Sequence, residues 1–341
     1  MSKPRIAVTM GDPAGIGPEI VYRAVNSLKV QRVCSPVVFG TVITNDELRM
    51  EPAPERLNRG NQRRTANNGN YEFIAASNVG KVALGKPSKK AGIAAYSAIK
   101  AAAQFCLDGK ADALVTAPVS KESFKLAGVN YPGHTELLQA LTKSKNAAMM
   151  MVCGNIHSVM VTRHIPLSEV SKRLKSKDIV ETVSLAVSFL NKSEDKTKNK
   201  DVLSLPSLHS SVKIALCGLN PHAGDNGILG KEEKKIIFPA YEILKKSGFN
   251  ISKPLPADSA WLKTKNGEFG LICGMYHDQI MIPLKCIDAK KIVNVTAGLP
   301  FVRTSPGHGT AFDIAGKGKA DADAMIESIL YAAEKAITNY E

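Results

Sequence analysis

Three histidines stand where chemistry is expected. His164 follows the run "SVMVTR", His222 follows "VKIALCGLN" and His277 follows "GLICGM". In an α/β protein, ligands bind in the loops outside the carboxyl ends of the strands. Neutral imidazoles suit zinc, cobalt, nickel or ferrous iron, and three protein ligands leave a coordination position open for substrate. One histidine beside a strand is ordinarily a locally hydrogen-bonded residue, but three in the same placement point toward a shared metal. Their long separations require a tertiary or intersubunit site and match neither a zinc finger nor a HExxH helix.

Other polar residues fall into similar positions. Lys285, Asn294 and Arg303 lie along the last third of the chain. Lysine and arginine bind carboxylate or phosphate oxygens, arginine with a planar fork, although each alone also reads as a surface residue. "YPGHTE" places His134 and Thr135 at a helix start, where Thr135 is either an N-cap or, with His134, part of a polar substrate site. "GDPAGIGPE" (11–19) is neither GxGxxG nor a P-loop. It offers amides to an anion or is simply a tight turn. The stretch 303–321, "RTSPGHGTAFDIAGKGKAD", holds His308 and Asp313 among small residues that let a flat ligand approach the backbone. A flexible loop is the alternative.

The elements that must position these residues alternate. Residues 5–10, 36–40, 112–119, 147–153 and 158–163 read as strands, as do "FGLICGM" and "KIVNVTAGLP". Helices are expected at "IVYRAVNSL", 91–107, "SKESFKLAG", from Leu167, in "KKIIFPAYEILKKSG" with a break at Pro239, and in "DADAMIESILYAAEKAI". This order argues for an α/β fold with a largely parallel sheet. Segments 51–70 and 191–201 read as an exposed excursion and a solvated insertion. The length, 341 residues, suits two α/β lobes or one large domain.

Composition narrows the function classes. The net charge of +14 is dispersed, without interleaved aromatics or a nucleic-acid motif. Six scattered cysteines without CxxC suggest reduced thiols in the cytoplasm. The N-terminal apolar run is broken at once by Gly11 and Asp12, so it is no signal peptide. No apolar stretch approaches a membrane span.

The ordered set "TMGDPAGIGPE", "TAPVSK", "PGHTE", "TRHIPL", "GLNPHAG", "GKEE", "YHDQ", "PLK" and "VNVTAGLPFVRTSPGHGTAFDIAGKG" runs from residue 9 to residue 318. It closely resembles the 4-hydroxythreonine-4-phosphate dehydrogenase family of vitamin B6 biosynthesis, distantly related to isocitrate and isopropylmalate dehydrogenases. The resemblance implies a two-lobed α/β fold of that type with an active-site cleft between lobes. It places 1–130 plus 300–341 in an outer, cofactor-associated lobe and 131–299 in a metal, substrate and dimerisation lobe. It implies a homodimer whose divalent metal (zinc, magnesium or cobalt) is held by His164, His222 and His277, drawn from both partners. Substrate contacts match His134, Thr135, Lys285, Asn294 and Arg303. The cofactor, NAD or NADP, lies at Gly307, His308, Gly309 and Asp313. Lys285, Asp258 and Asp278 are the catalytic proton-transfer candidates.

The implied reaction is oxidation of 4-phosphooxy-L-threonine to 2-amino-3-oxo-4-phosphooxybutanoate, which decarboxylates to 3-amino-2-oxopropyl phosphate. The alternatives are dehydrogenation of D-threonate or D-erythronate 4-phosphate or another hydroxy acid, and, in another class, a non-catalytic metabolite- or RNA-binding protein. One position departs from the family: "YHDQIMIPLK" has Ile280 where the family carries glycine. Ile280 either takes ordinary backbone angles and leaves His277 in place, or intrudes and alters the substrate.

Overall fold

The computed structural model describes residues 3–41, 65–67, 70–131, 133–191 and 212–337. The exposed excursion at 51–70 lies outside these residues except for 65–67 and 70, and the insertion at 191–201 except for Asn191. In chain order the first elements are β1 (Arg5–Thr9), α1 (Gly17–Val25), α2 (Leu28–Val33), β2 (Ser35–Thr41), β3 (Thr65–Asn67) and β4 (Glu72–Ser77). They are followed by α3 (Lys89–Leu107), β5 (Ala113–Thr116), α4 (Lys121–Leu126) and α5 (His134–Thr142). The middle of the chain forms β6 (Ala148–Cys153), β7 (Ile156–Met160), α6 (Leu167–Arg173), α7 (Ser176–Asn191) and β8 (Ile214–Leu216). Then come α8 (Phe238–Lys246), α9 (Ala257–Lys265), β9 (Leu271–Gly274) and α10 (His277–Asp288). The chain closes with β10 (Val293–Ala297), β11 (Val302–Pro306) and α11 (Asp323–Ile337).

Two compact units result: Met1–Asn146 with Val293–Tyr340, and Ala147–Ile292. Segments 131–146 and 293–299 therefore group with the first unit. The reasons are local, since α5 packs on α3 and β10 pairs antiparallel with β11.

The first unit is a sheet in the order β3-β4-β2-β1-β5-β11-β10. Its central strands are parallel, and β3 and β10 run antiparallel to their neighbours. Strand β5 and residues 6–9 of β1 are buried throughout and largely apolar, as expected where both faces of a parallel sheet are covered. One group of helices, α3 with α4 and α5, and another, α11 with α1 and α2, supply that cover. The alanine-rich face of α3 (Ala95, Ala98, Ala102) packs close against Ala7, Val37 and Leu114.

The second unit has the order β6-β7-β9-β8, antiparallel between β6 and β7 and parallel thereafter. Its core gathers Met160, Cys217, Trp261, Ile272, Ile280 and Leu284. Cys34, Cys106, Cys153, Cys217 and Cys273 are buried free thiols and Cys286 is exposed. Burial pushes Cys34, Cys106 and Cys273 up to about 12, which makes them unreactive near neutral pH. No helix among the described residues is long and apolar enough to cross a membrane.

Candidate functional site

The glycine loop of residues 11–17 is a packing corner. Its amides are used internally: Asp12 N donates to Pro118 O, Ala14 N to Asp12 Oδ1, Gly15 N to Asp12 O and Ile16 N to Thr310 O. The tight-turn reading fits better than an anion cradle. Asp12 is fully buried, and desolvation raises its carboxyl pKa.

In the first unit the chemistry gathers around Arg303. This residue is not on a loop, because "RTSP" of the glycine-rich stretch is β11, buried throughout. Its guanidinium is 1% exposed and spans both neighbouring strands. Nη1 donates to Thr296 Oγ1 on β10 at 2.9 Å, and Nη2 donates to Thr116 Oγ1 at the end of β5 at 2.5 Å. Nε has no hydrogen-bond partner among the described residues. Burial alone pushes the Arg303 pKa down to about 10, with no opposite charge acting on it. A buried cation without a counter-ion is costly.

Around it lie further unsatisfied polar atoms. His134 opens α5, with its Nε2 buried and without a partner among the described residues. Burial, with the charge of Arg303 beside it, holds His134 well below the usual histidine range, so its ring is neutral at physiological pH. Thr135 is buried inside α5, and the N-cap is Gly133, not Thr135. Asn294 on β10 pairs with Ser305, and its buried Oδ1 is unpartnered. Thr9, register partner of Thr116, also has a buried hydroxyl without a partner. Native interiors leave few such groups. Sequence reasoning named Arg303, His134 and Asn294; the three threonines gave no signal in a strand pattern.

The expected cofactor residues follow β11 in the chain. Gly307, His308, Gly309 and Asp313 are all exposed, and His308 Nδ1 lies 3.1 Å from Gly309 O. Lys317 Nζ donates to Asp313 O, bracing the following turn.

In the second unit the histidines divide. His164 and His277 meet with ring centroids 5.8 Å apart. They line a cavity of about 250 Å³ with Arg163, Leu167, Tyr276 and Asp278. His277 Nδ1 lies 2.6 Å from Asp278 Oδ1, a carboxylate–histidine pair that leaves Nε2 available as a ligand. His222 is exposed and is not brought into this pair. Among the described residues no group of three or more His, Cys, Asp or Glu is arranged to hold a metal ion. The His164–His277 pair, with its orienting carboxylate, fits part of a divalent-cation site.

His222 sits in an unusual backbone. Residues His222 to Asn226 all have positive φ, between 40° and 80°. For non-glycine residues this costs on the order of 1–2 kcal/mol each, less for Asp and Asn. Glu233, 2% exposed, holds the run's entry: Oε1 accepts from Leu219 N and Asn220 N, and Oε2 accepts from Asn220 Nδ2.

"YHDQIMIPLK" is helix, not loop. His277 begins α10 after extended Tyr276, and Pro283 lies inside the helix. Proline has no N–H for the carbonyl four residues back, and that carbonyl, Gln279 O, accepts instead from Trp261 Nε1 at 2.8 Å. The Gln279 side chain ties the two histidine loops: Met275 N donates to Oε1 at 2.6 Å, and Nε2 donates to Gly218 O at 2.9 Å. Ile280 is fully buried in the core, and a Cβ on Gly274 would meet its Cγ1 at 2.7 Å. It takes ordinary helical angles and faces inward. Lys285 is exposed in the last turn of α10, about 12 Å along the helix from His277. Asp258 is exposed in the first turn of α9, its Oδ1 accepting from Ser259 N. The three proton-transfer candidates are thus spread out, and only Asp278 lines the cavity.

Comparison with known proteins places this geometry. A 4-hydroxythreonine-4-phosphate dehydrogenase of Desulforapulum autotrophicum is 39% identical over 345 residues, spanning 98% of this chain and 96% of its own. A D-threonate 4-phosphate dehydrogenase of Salmonella typhimurium is 36% identical, spanning 98% of this chain and 100% of its own. The crystal structure of 4-hydroxythreonine-4-phosphate dehydrogenase from Klebsiella pneumoniae superposes with a TM-score of 0.78 at 33% identity, covering 98% of each chain. Residues 32–332 match the model of the pyridoxal phosphate biosynthetic protein PdxA, and the chain belongs to that family.

Proposed function

We propose that the chain is a dehydrogenase that oxidises a hydroxyl of a four-carbon hydroxy acid phosphorylated at C4 and passes hydride to NAD or NADP. The observation that carries this reading is the buried guanidinium of Arg303, which burial alone acts upon. D-threonate 4-phosphate is the first candidate substrate, supported by relatives of that name which align with nearly the whole chain. 4-Phosphooxy-L-threonine is the second, supported by the relative from Desulforapulum autotrophicum.

Each residue then has a task. Arg303 and Lys285 bind the anionic groups of the substrate. Neutral His134 and the free Oδ1 of Asn294 meet its polar groups, and Thr135 backs His134. Gly307, His308, Gly309 and Asp313 hold the dinucleotide, whose nicotinamide accepts the hydride. His164 and His277 hold a divalent cation such as zinc, magnesium or cobalt, with Asp278 orienting His277, and His222 of a second copy of the chain completes the set. When bound, such a cation favours the deprotonated hydroxyl and polarises the developing carbonyl. Asp278 is committed to His277, which leaves Lys285 and Asp258 to take the hydroxyl proton. The exposed Leu167, Ile228, Leu229 and Ile282 of the second unit support a homodimer. On this reading the first unit serves the cofactor and the second the metal and dimerisation.

A substrate panel tests the proposal. Purified protein is assayed for NADH or NADPH formation with D-threonate 4-phosphate, D-erythronate 4-phosphate and 4-phosphooxy-L-threonine, with each metal supplied. The highest kcat/KM identifies the substrate. Failure with all three overturns the reading.

A further inference from the structure

We infer that Glu233 is a positioning residue that holds the His222 loop in its left-handed form and so sets His222 as a metal ligand. This rests on the proposed role of His222. Glu233 comes from the segment Glu233–Ile237 that leads into α8, a different element from the loop it holds. Its Oε1 takes two consecutive backbone N–H groups, Leu219 at 2.9 Å and Asn220 at 2.8 Å. The positive-φ run begins two residues later, at His222. Inside that run Gly224, at φ +80°, lies against the same carboxylate, and a Cβ there would stand 2.5 Å from Oε2.

The carboxylate therefore fixes the entry of the turn that carries His222 and packs closely against its middle. Asn220 adds a second fastening, its Nδ2 donating to Glu233 Oε2 at 3.0 Å and to Glu232 Oε2 at 2.9 Å. Without Glu233, two backbone N–H groups lose their acceptor, and only the bond from Asn220 Nδ2 to Glu232 and the loop's own backbone bonds oppose relaxation of four non-glycine residues toward negative φ. The imidazole of His222 would then leave its direction although its own chemistry is intact. Partners that orient a metal ligand commonly change affinity by about 10–100-fold.

The test compares Glu233→Ala, Glu233→Gln and His222→Ala in the full chain. Protein stripped with a chelator is titrated with cobalt(II), reading its visible absorption spectrum and its affinity by competition, beside a thermal melt. Glu233→Ala should bind cobalt about 10–100-fold more weakly, with the spectrum of His222→Ala. Glu233→Gln keeps an oxygen for Leu219 N and Asn220 N and should stay within about threefold of wild type. Wild-type cobalt affinity and spectrum in Glu233→Ala, with His222→Ala weakened, overturns the inference even if the melt is lowered. If His222→Ala itself matches wild type, the ligand role of His222 fails first and the inference with it. Should Glu233→Ala not fold, Gly224→Ala gives the second reading: it should show the same cobalt defect, and wild-type binding there overturns the inference.

Discussion

Replacing Arg303 with methionine removes the buried charge while keeping a long side chain. Its pKa of about 10, against an ordinary value above 12, means that the charged form is disfavoured by about 3 kcal/mol in the folded chain. An anion that offsets a penalty of that size contributes about 10²-fold in kcat/KM. Arg303→Met should therefore lose about 10²-fold in kcat/KM on the phosphorylated substrate. Its fold should survive, because release from the desolvation cost roughly offsets the loss of the charged hydrogen bonds to Thr116 and Thr296. Arg303→Lys keeps the charge but loses the fork that reaches both hydroxyls, so a loss of about 10-fold is expected. The sign with pH follows from the lowered value: the guanidinium stays charged through neutral pH, and its anion binding fades only as pH rises through about 10. Steady-state kinetics beside a thermal melt make the assay. An Arg303→Met protein that melts cooperatively and stays within about threefold of wild type in kcat/KM would refute the buried cation as the anion receptor.

His134 stays neutral when folded but protonates when unfolded below about pH 6.5. Its share of stability is complete above that pH and falls by up to about 1.4 kcal/mol per pH unit below it. Denaturant titrations between about pH 5 and 7 should show a flatter decline for His134→Gln, and an equal slope would contradict the assignment. Trp261→Phe should cost about 1–3 kcal/mol, because Gln279 O loses its donor. Pro283→Ala restores a helical N–H for that carbonyl, so the double variant should recover about 1 kcal/mol in a double-mutant cycle; strict additivity would argue against the substitution of donors. Asp278→Ala should weaken cobalt or zinc binding by about 10–100-fold, measured by competition with a chelator, and unchanged affinity would remove its orienting role.

Much of the first unit was legible because buried parallel strands are largely apolar runs, as in "IAVT" and "ALVT". β11 was hidden because its "VRTSP" is polar and runs into glycine, and only pairing with β5 and β10 reveals it as buried. Arg303 was named as an anion-binding candidate, but its burial without a counter-ion is a property of the packed strands. The α10 helix was obscured by Pro283, whose cost is met by a tryptophan 18 residues before Gln279, the residue whose carbonyl it bonds. His164 and His277 were expected together and are together. His222, expected to join them at a metal shared between two copies of the chain, stands outside this pair within one chain, in a left-handed turn that no glycine pattern announced, since four of its five residues are not glycine. Glu233 sits in "GKEE", where a surface role reads as well as a buried one. Ile280 was an open question, and it proves to fill the core above Gly274.

The bond from Trp261 to Gln279 O also makes an instrument of the chain. Trp261 is the only tryptophan of the 341 residues. It is 7% exposed, and its indole is anchored two residues beyond His277. Its fluorescence is therefore a label-free optical report on one turn of α10. Emission in the native state should be blue-shifted, and quenching or a red shift on adding metal would time the rearrangement of the His277 turn directly, without a chromophore having to be introduced.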